Sequence, residues 1–239
     1  MRRALSVTAL AAVLLATPAA TTDMPTPAET KAPRATVAAK ARPKPTPAAL
    51  SRKHARDYRF LHGAVHGRPK AVWPCRTIIV ALNRRGLPAH TARDLREAVR
   101  RVSRASGYRF KVVYTRAVPT RAGHHPGGGA PQVLIASARP GVRGFDDPLA
   151  AATAEVQPLV DNAHWRLSTS VVLVNTQAHL RPGFAVDGMA SVLAHELGHT
   201  LGLDHVPSRT QQLMGPYGAP GLGAGDIAGL RRLHRASCG

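Results

Sequence analysis

His195-Glu196-Leu197-Gly198-His199-Thr200-Leu201-Gly202-Leu203-Asp204-His205 is the stretch from which the rest of the chain is read. His195 and His199 are four residues apart, so on an α-helix both imidazoles lie on one face, one turn from each other. Glu196 sits between them and can approach the same point without being a ligand. Gly202 accepts the left-handed conformation that helix ends favour, so the chain can turn there and bring back His205. Three neutral nitrogen ligands with one open position make a catalytic zinc geometry, whereas a structural zinc site fills all four positions with protein groups. Scattered histidines on a solvated helix would not account for a glycine at that offset before the third one.

Working outward, Leu213-Met214-Gly215-Pro216-Tyr217 follows, with Met214 nine residues after His205, and then Asp226-Ile227-Ala228-Gly229-Leu230. With these residues the chain resembles the metzincin zinc peptidases, whose signature is His-Glu-x-x-His-x-x-Gly-x-x-His and a methionine turn. Within them it is most similar to the matrixins, including small secreted matrixin-like peptidases of bacteria. The Trp73-x-Cys75 opening and the Ile78-Ile79-Val80 strand add to the likeness. It covers roughly residues 72–239 and is strongest over 192–233.

The resemblance implies an α+β, zincin-like fold: a twisted mixed β-sheet, two major helices of which the second carries the zinc histidines, and a C-terminal helix. It implies a zinc-dependent endopeptidase acting on polypeptide. His195, His199 and His205 would hold one zinc ion, and Glu196 would be the general base toward a zinc-activated water. Met214 would form an apolar floor under the histidines. Pro216 and Tyr217 would line the substrate pocket. Tyr217 is three residues after Met214, whereas some metzincins place a tyrosine ligand two after and matrixins a pocket tyrosine four after. Asp226 would bond the methionine turn, and Gly225 stands where the family has a further acid. Matrixins commonly bind calcium, but Asp146-Asp147 supply too few carboxylates to support a site.

Residues 1–20 read as a signal peptide: a basic start at Arg2-Arg3, an apolar run from Ala4 to Ala16, and small residues to Ala20. The run is too short for a membrane span, and no other segment would span one after signal cleavage. Residues 21–50, rich in Pro, Ala, Thr and Lys, read as a disordered linker, and 51–71 as a basic lead-in carrying His54, His62 and His66 as surface residues. Residues 72–239 are the catalytic domain. The chain is thus expected to be secreted.

Two cysteines, Cys75 and Cys238, form an even pair in an exported chain and are expected to be one disulfide. The other reading of Cys75, a thiolate that blocks the zinc, suffers from a Trp-Pro-Cys-Arg context unlike the family's switch.

The formal net charge is +20, from 33 Lys and Arg against 13 Asp and Glu. Residues 51–239 carry 26 basic against 11 acidic side chains, a balance of +15. Such a charge favours anionic cell-surface polymers as partners. No motif for sequence-specific nucleic-acid binding occurs, and aromatics for base stacking are scarce. A second function class follows from the same charge: a non-catalytic, zinc-stabilised basic binding protein of the cell envelope.

Hydrophobic periodicity predicts strands at 77–82, 108–114, 132–136 and 170–174, with an edge strand near 155–159. A helix follows a Thr91-x-x-Asp94 capping box, with Leu95, Ala98, Val99, Val102 and Ala105 on one face and Gly107 as its stop. The zinc helix is expected over 186–201 and the last helix over 225–235. His124 and His125, between glycines, read either as part of a second metal site or as a flexible loop.

Overall fold

The computed structural model describes residues 9–12, 56–119, 132–139, 150–161, 164–206, 211–215 and 219–239. His54, His124, His125, Asp146, Asp147, Pro216, Tyr217 and the linker over 21–50 lie outside them. The described residues form a mixed α and β structure with a mostly parallel sheet and three α-helices.

The chain runs through β1 (Ala9–Ala12), β2 (Arg59–Phe60), β3 (Ala64–Val65), β4 (Arg68–Pro69), β5 (Ala71–Val72) and β6 (Ile78–Leu82) to α1 (Thr91–Ser106). Then come β7 (Phe110–Tyr114), β8 (Val133–Ala138), β9 (Ala150–Asp161), β10 (His164–Asn175), α2 (Met189–Leu201), β11 (Leu203–Asp204) and α3 (Ala224–Cys238). The main sheet has the order β1-β9-β10-β8-β6-β7, with β5 also paired to β10. Strands β10, β8, β6 and β7 are mutually parallel, and β9 is antiparallel to β10.

Alternation along these strands separates two faces. Ile78, Val80, Leu82, Val133, Ile135, Val172 and Val174 belong to the large core, together with Leu95, Val99 and Val102 of α1. Leu193, Leu197 and Leu201 of α2 and Leu230 and Leu233 of α3 join it. Ala81, Leu134, Val171 and Leu173 point the other way into a small second cluster. The helices therefore cover one face of the sheet. All of α2 is buried, which fits a helix whose sequence is apolar around most of its circumference.

Several expectations need correction. The expected Thr91–Asp94 capping box does not form: His90 is the N-cap, it makes no side-chain cap bond, and the Thr91 hydroxyl has no partner. Asp94 is one residue too far along to reach back. Its carboxylate instead meets the His90 ring at 2.8 Å and accepts the Gly183 N–H at 3.1 Å, tying α1 to the loop before α2. That loop delays α2 to Met189, because Gly183 takes φ +84° and Gly188 is extended, while Arg181 and Asp187 pair across it. The last helix is longer than expected at both ends.

Strands β9 and β10 run twelve residues each, well beyond their apolar centres. Ladder hydrogen bonds set their length, and Pro158, opposite Leu167, is accommodated beside a register shift between Leu167 and Thr169. Residues 56–71 of the lead-in pack with the domain: β5 pairs with β10, β2 pairs with β11, and Phe60 and Leu61 pack on the core. Ala9–Ala12, inside the stretch read as a leader, pairs antiparallel with β9.

Cys75 and Cys238 are joined in a disulfide, with their Cα atoms 5.0 Å apart. No helix among the described residues is long and apolar enough to cross a membrane.

Candidate metal centre

His195 and His199 project from α2 at the expected i, i+4 spacing, and His205 returns to them after the turn. Gly202 ends α2 with φ +109°, and its N–H bonds back to the helix. Only a residue at ease in left-handed backbone permits this exit without strain. Leu203–Asp204 then pair with β2, which directs the chain so that His205 meets the other two.

The three Nε2 atoms form a near-equilateral triangle: 3.0 Å between His195 and His199, 3.1 Å between His195 and His205, and 3.2 Å between His199 and His205. Their tautomers follow from the opposite ring atoms. Nδ1–H of His195 donates to the Leu213 carbonyl at 2.8 Å, and Nδ1–H of His199 donates to the Leu203 carbonyl at 2.9 Å. Two neutral imidazoles so held turn bare Nε2 lone pairs toward each other. Lone pairs at this distance repel, and a cation about 2.0–2.1 Å from each nitrogen would convert that repulsion into binding. The residues present therefore fit a metal ion, held by His195, His199 and His205.

Electrostatics agree. Burial pushes the His195 imidazole down to about 4, with the neighbouring His205 adding to the shift. Burial, then His195 and His205, hold His199 well below its ordinary value. Burial also lowers His205, and Asp204 partly opposes it. The three rings stay neutral at ordinary pH, as ligands must.

Glu196 is 1% exposed, and neither carboxylate oxygen has a hydrogen-bond partner among the described residues. Burial raises its pKa to about 8. An unpartnered buried carboxylate is costly unless a cation or a water compensates it, and Glu196 directly follows the first histidine of the triad on α2.

Beneath the triad, Met214 is buried and stands so close to Gly198 that an added Cβ there would lie 2.7 Å from its sulfur. Asp226 holds the turn: its carboxylate accepts the N–H groups of Leu213 at 2.7 Å, Gly223 at 2.8 Å and Met214 at 3.3 Å. Gln212 accepts from the N–H groups of Gly225 and Asp226, fastening the start of α3 to the same turn.

Sequence reasoning did not find the carbonyls of Leu203 and Leu213, which orient two of the three rings. Backbone acceptors carry no residue signature. It also did not assign Trp73, whose indole N–H donates to the Thr200 carbonyl at 2.6 Å and fixes the end of α2. No protein-family model matches this chain, and no curated protein matches it.

Proposed function

We propose that this chain is a secreted zinc-dependent endopeptidase with a metzincin-like fold, resembling the matrixins most. One observation carries the reading: three imidazole nitrogens converge, and the residue that follows the first of them on the helix, Glu196, carries a buried carboxylate with no hydrogen-bond partner among the described residues. A metal held only for structure has no use for that costly neighbour.

When bound at the three histidines, zinc supplies Lewis acidity, lowering the pKa of water and polarising a carbonyl. Glu196 does the proton work. It takes a proton from the attacking water and returns it to the departing amine, so that a C–O bond forms and the peptide C–N bond breaks. Its burial keeps the carboxylate basic, and a neighbouring cation would favour its ionised form. Leu213 and Leu203 hold the His195 and His199 rings in register through their carbonyls.

The substrate would lie extended along β9, the antiparallel strand next to α2, as an added strand recognised through its backbone. The pairing of Ala9–Ala12 with β9 supports this, because it puts an antiparallel strand on that edge. Loss of residues 1–20 as a leader would free the edge for substrate.

The excess of basic residues favours a second reading, a non-catalytic zinc-stabilised binding protein of the cell envelope. Glu196→Gln separates the two. At saturating zinc the wild type should cleave members of an unfolded-protein library, with sites mapped by mass spectrometry. The variant should keep its fold and zinc and lose about two to four orders of magnitude in rate. Cleavage within about threefold of wild type would remove Glu196 from the mechanism. No cleavage by either protein would leave the binding protein as the better reading.

A further inference from the structure

A groove of about 880 Å³ lies beside the disulfide, between the β4–β5 segment, the start of β10 and the end of α3. Five cations line it: Arg68, Lys70, Arg166, Arg232 and Arg235. Apart from the carboxylate of Gly239, the lining holds no acid. Arg232 is engaged, donating to the Tyr58 hydroxyl and to the Gly67 carbonyl. Lys70 lies 4.0 Å over the Trp165 ring. Arg68, Arg166 and Arg235 are exposed and are in none of the ion pairs among the described residues.

Folding gives part of an explanation. Arg232 and Arg235 lie toward the C-terminal end of α3, where the helix dipole favours positive charge. The dipole does not account for Arg68, Lys70 and Arg166, which come from other segments and add mutual repulsion. Elsewhere some arginines are paired, Arg100 and Arg101 with Glu97 and Arg181 with Asp187. Others, such as Arg104 and Arg109, are in none of the ion pairs among the described residues but stand apart on the surface; the groove differs in gathering its cations into one concavity. Cations gathered in a concavity without such partners describe a site for an anion.

We propose that this groove binds a phosphate polymer that carries no bases, independently of the histidine site. Four of the five cations are arginines, whose planar forks match tetrahedral phosphate oxygens in pairs. Cations from three segments line one concavity, which fits successive charges along a chain better than one small ion. Of the two aromatic side chains in the lining, Trp73 is fully buried and Trp165 has Lys70 over its ring, which leaves a poor platform for stacking a nucleobase. A concave groove also suits a chain better than a flat lipid surface.

The test uses the full, disulfide-bonded chain and inorganic polyphosphate as the probe, read by tryptophan fluorescence. The chain has two tryptophans, the buried Trp73 and the partly exposed Trp165, and both line the groove, so a change of signal reports on it. Arg68→Ala/Arg166→Ala/Arg235→Ala should weaken polyphosphate binding by roughly tenfold or more. A control, Arg104→Ala/Lys111→Ala/Arg116→Ala, removes the same charge from exposed positions outside the groove and should change it by less than about threefold. Arg166→Gln alone, a milder change, should weaken binding measurably and guards against a folding defect in the triple variant. Equal losses in the two triple variants would reduce the effect to net charge and overturn the site. Tighter binding of heparin, a mixed-sequence oligonucleotide or phosphatidylglycerol vesicles, at matched charge concentration, would overturn the assigned ligand.

Discussion

Asp226→Ala tests how the metal centre is held from behind. The carboxylate is buried and accepts three backbone N–H groups, two of them at 2.7 and 2.8 Å and the third at 3.3 Å. Leu213 and Met214 are themselves about 1% exposed, so their N–H groups would find no water in its place. Each orphaned buried donor costs about 1–3 kcal/mol. Against this, the variant no longer buries a carboxylate, whose pKa burial raises despite the three donors. The net loss should be about 2–4 kcal/mol, a fall in Tm of about 5–15 °C for a domain of this size. The damage should also reach the ligands, because the Leu213 carbonyl is the acceptor that orients His195. Loss of such a supporting contact weakens metal binding by about 10–100-fold. Thermal denaturation at equal metal loading gives the first quantity, and competition with a chromophoric chelator gives the second. Asp226→Asn keeps the volume but offers one good acceptor in place of two, so it should fall between wild type and Ala. A Tm within about 2 °C of wild type, with metal affinity unchanged, would show that the turn stands without Asp226.

Replacing any one of His195, His199 or His205 by Ala should abolish binding of the one metal ion per chain, proposed to be zinc, as measured by metal analysis; unchanged content would refute the ligand set. Gly202→Ala should cost about 1–2 kcal/mol because φ is +109° there, and it should loosen His205, visible as weaker metal binding at an intact secondary structure. Breaking the disulfide with Cys75→Ser/Cys238→Ser opens a sequence separation of 163 residues and should cost up to about 4–5 kcal/mol in the chain-entropy model, read from denaturant midpoints. Acid should destabilise the metal-free protein. The folded His195 stays neutral to about pH 4, so below 6.5 the unfolded chain binds protons that the folded chain does not. That stability is present above 6.5 and amounts to a loss of about 2 kcal/mol by pH 5 from His195 alone. Glu196, raised to about 8, acts in the opposite sense, so the measurement belongs in the Glu196→Gln background. A flat profile there between pH 7.5 and 5 would contradict the burial of these rings.

The convergence of His195, His199 and His205 was legible in the sequence because its geometry is local. Two histidines four apart need only a helix, and the third needs only a glycine at its end. The sheet centres were legible for a similar reason: β-branched runs such as Ile78–Val80 and Val171–Val174 mark buried strands wherever they pack. What escaped depends on partners far away in sequence. Asp94 reads as half of a capping box, yet it spends its carboxylate on Gly183, 89 residues later. The ladder between β9 and β10 carries both strands to twelve residues, past the 155–159 and 170–174 stretches that a reading of single strands marks. The basic groove joins β4, β5, β10 and α3, and no stretch of sequence contains more than two of its five cations.

The same distant contacts explain how the centre is braced. The Ser237 hydroxyl donates to the Trp73 carbonyl, the disulfide links the nearby Cys75 and Cys238, and the Trp73 indole N–H donates to the Thr200 carbonyl near the end of α2. Thr200 lies between His199 and the Gly202 exit, and its hydroxyl pairs with Ser170 of β10. A path of direct contacts thus runs from the C-terminal end of α3 to the turn that returns His205. A second path runs from the start of α3, through Asp226 and Leu213, to His195. The two ends of one helix therefore brace opposite sides of the histidine triad. Loosening either end should weaken metal binding without touching a ligand, and loosening both should cost more than either alone.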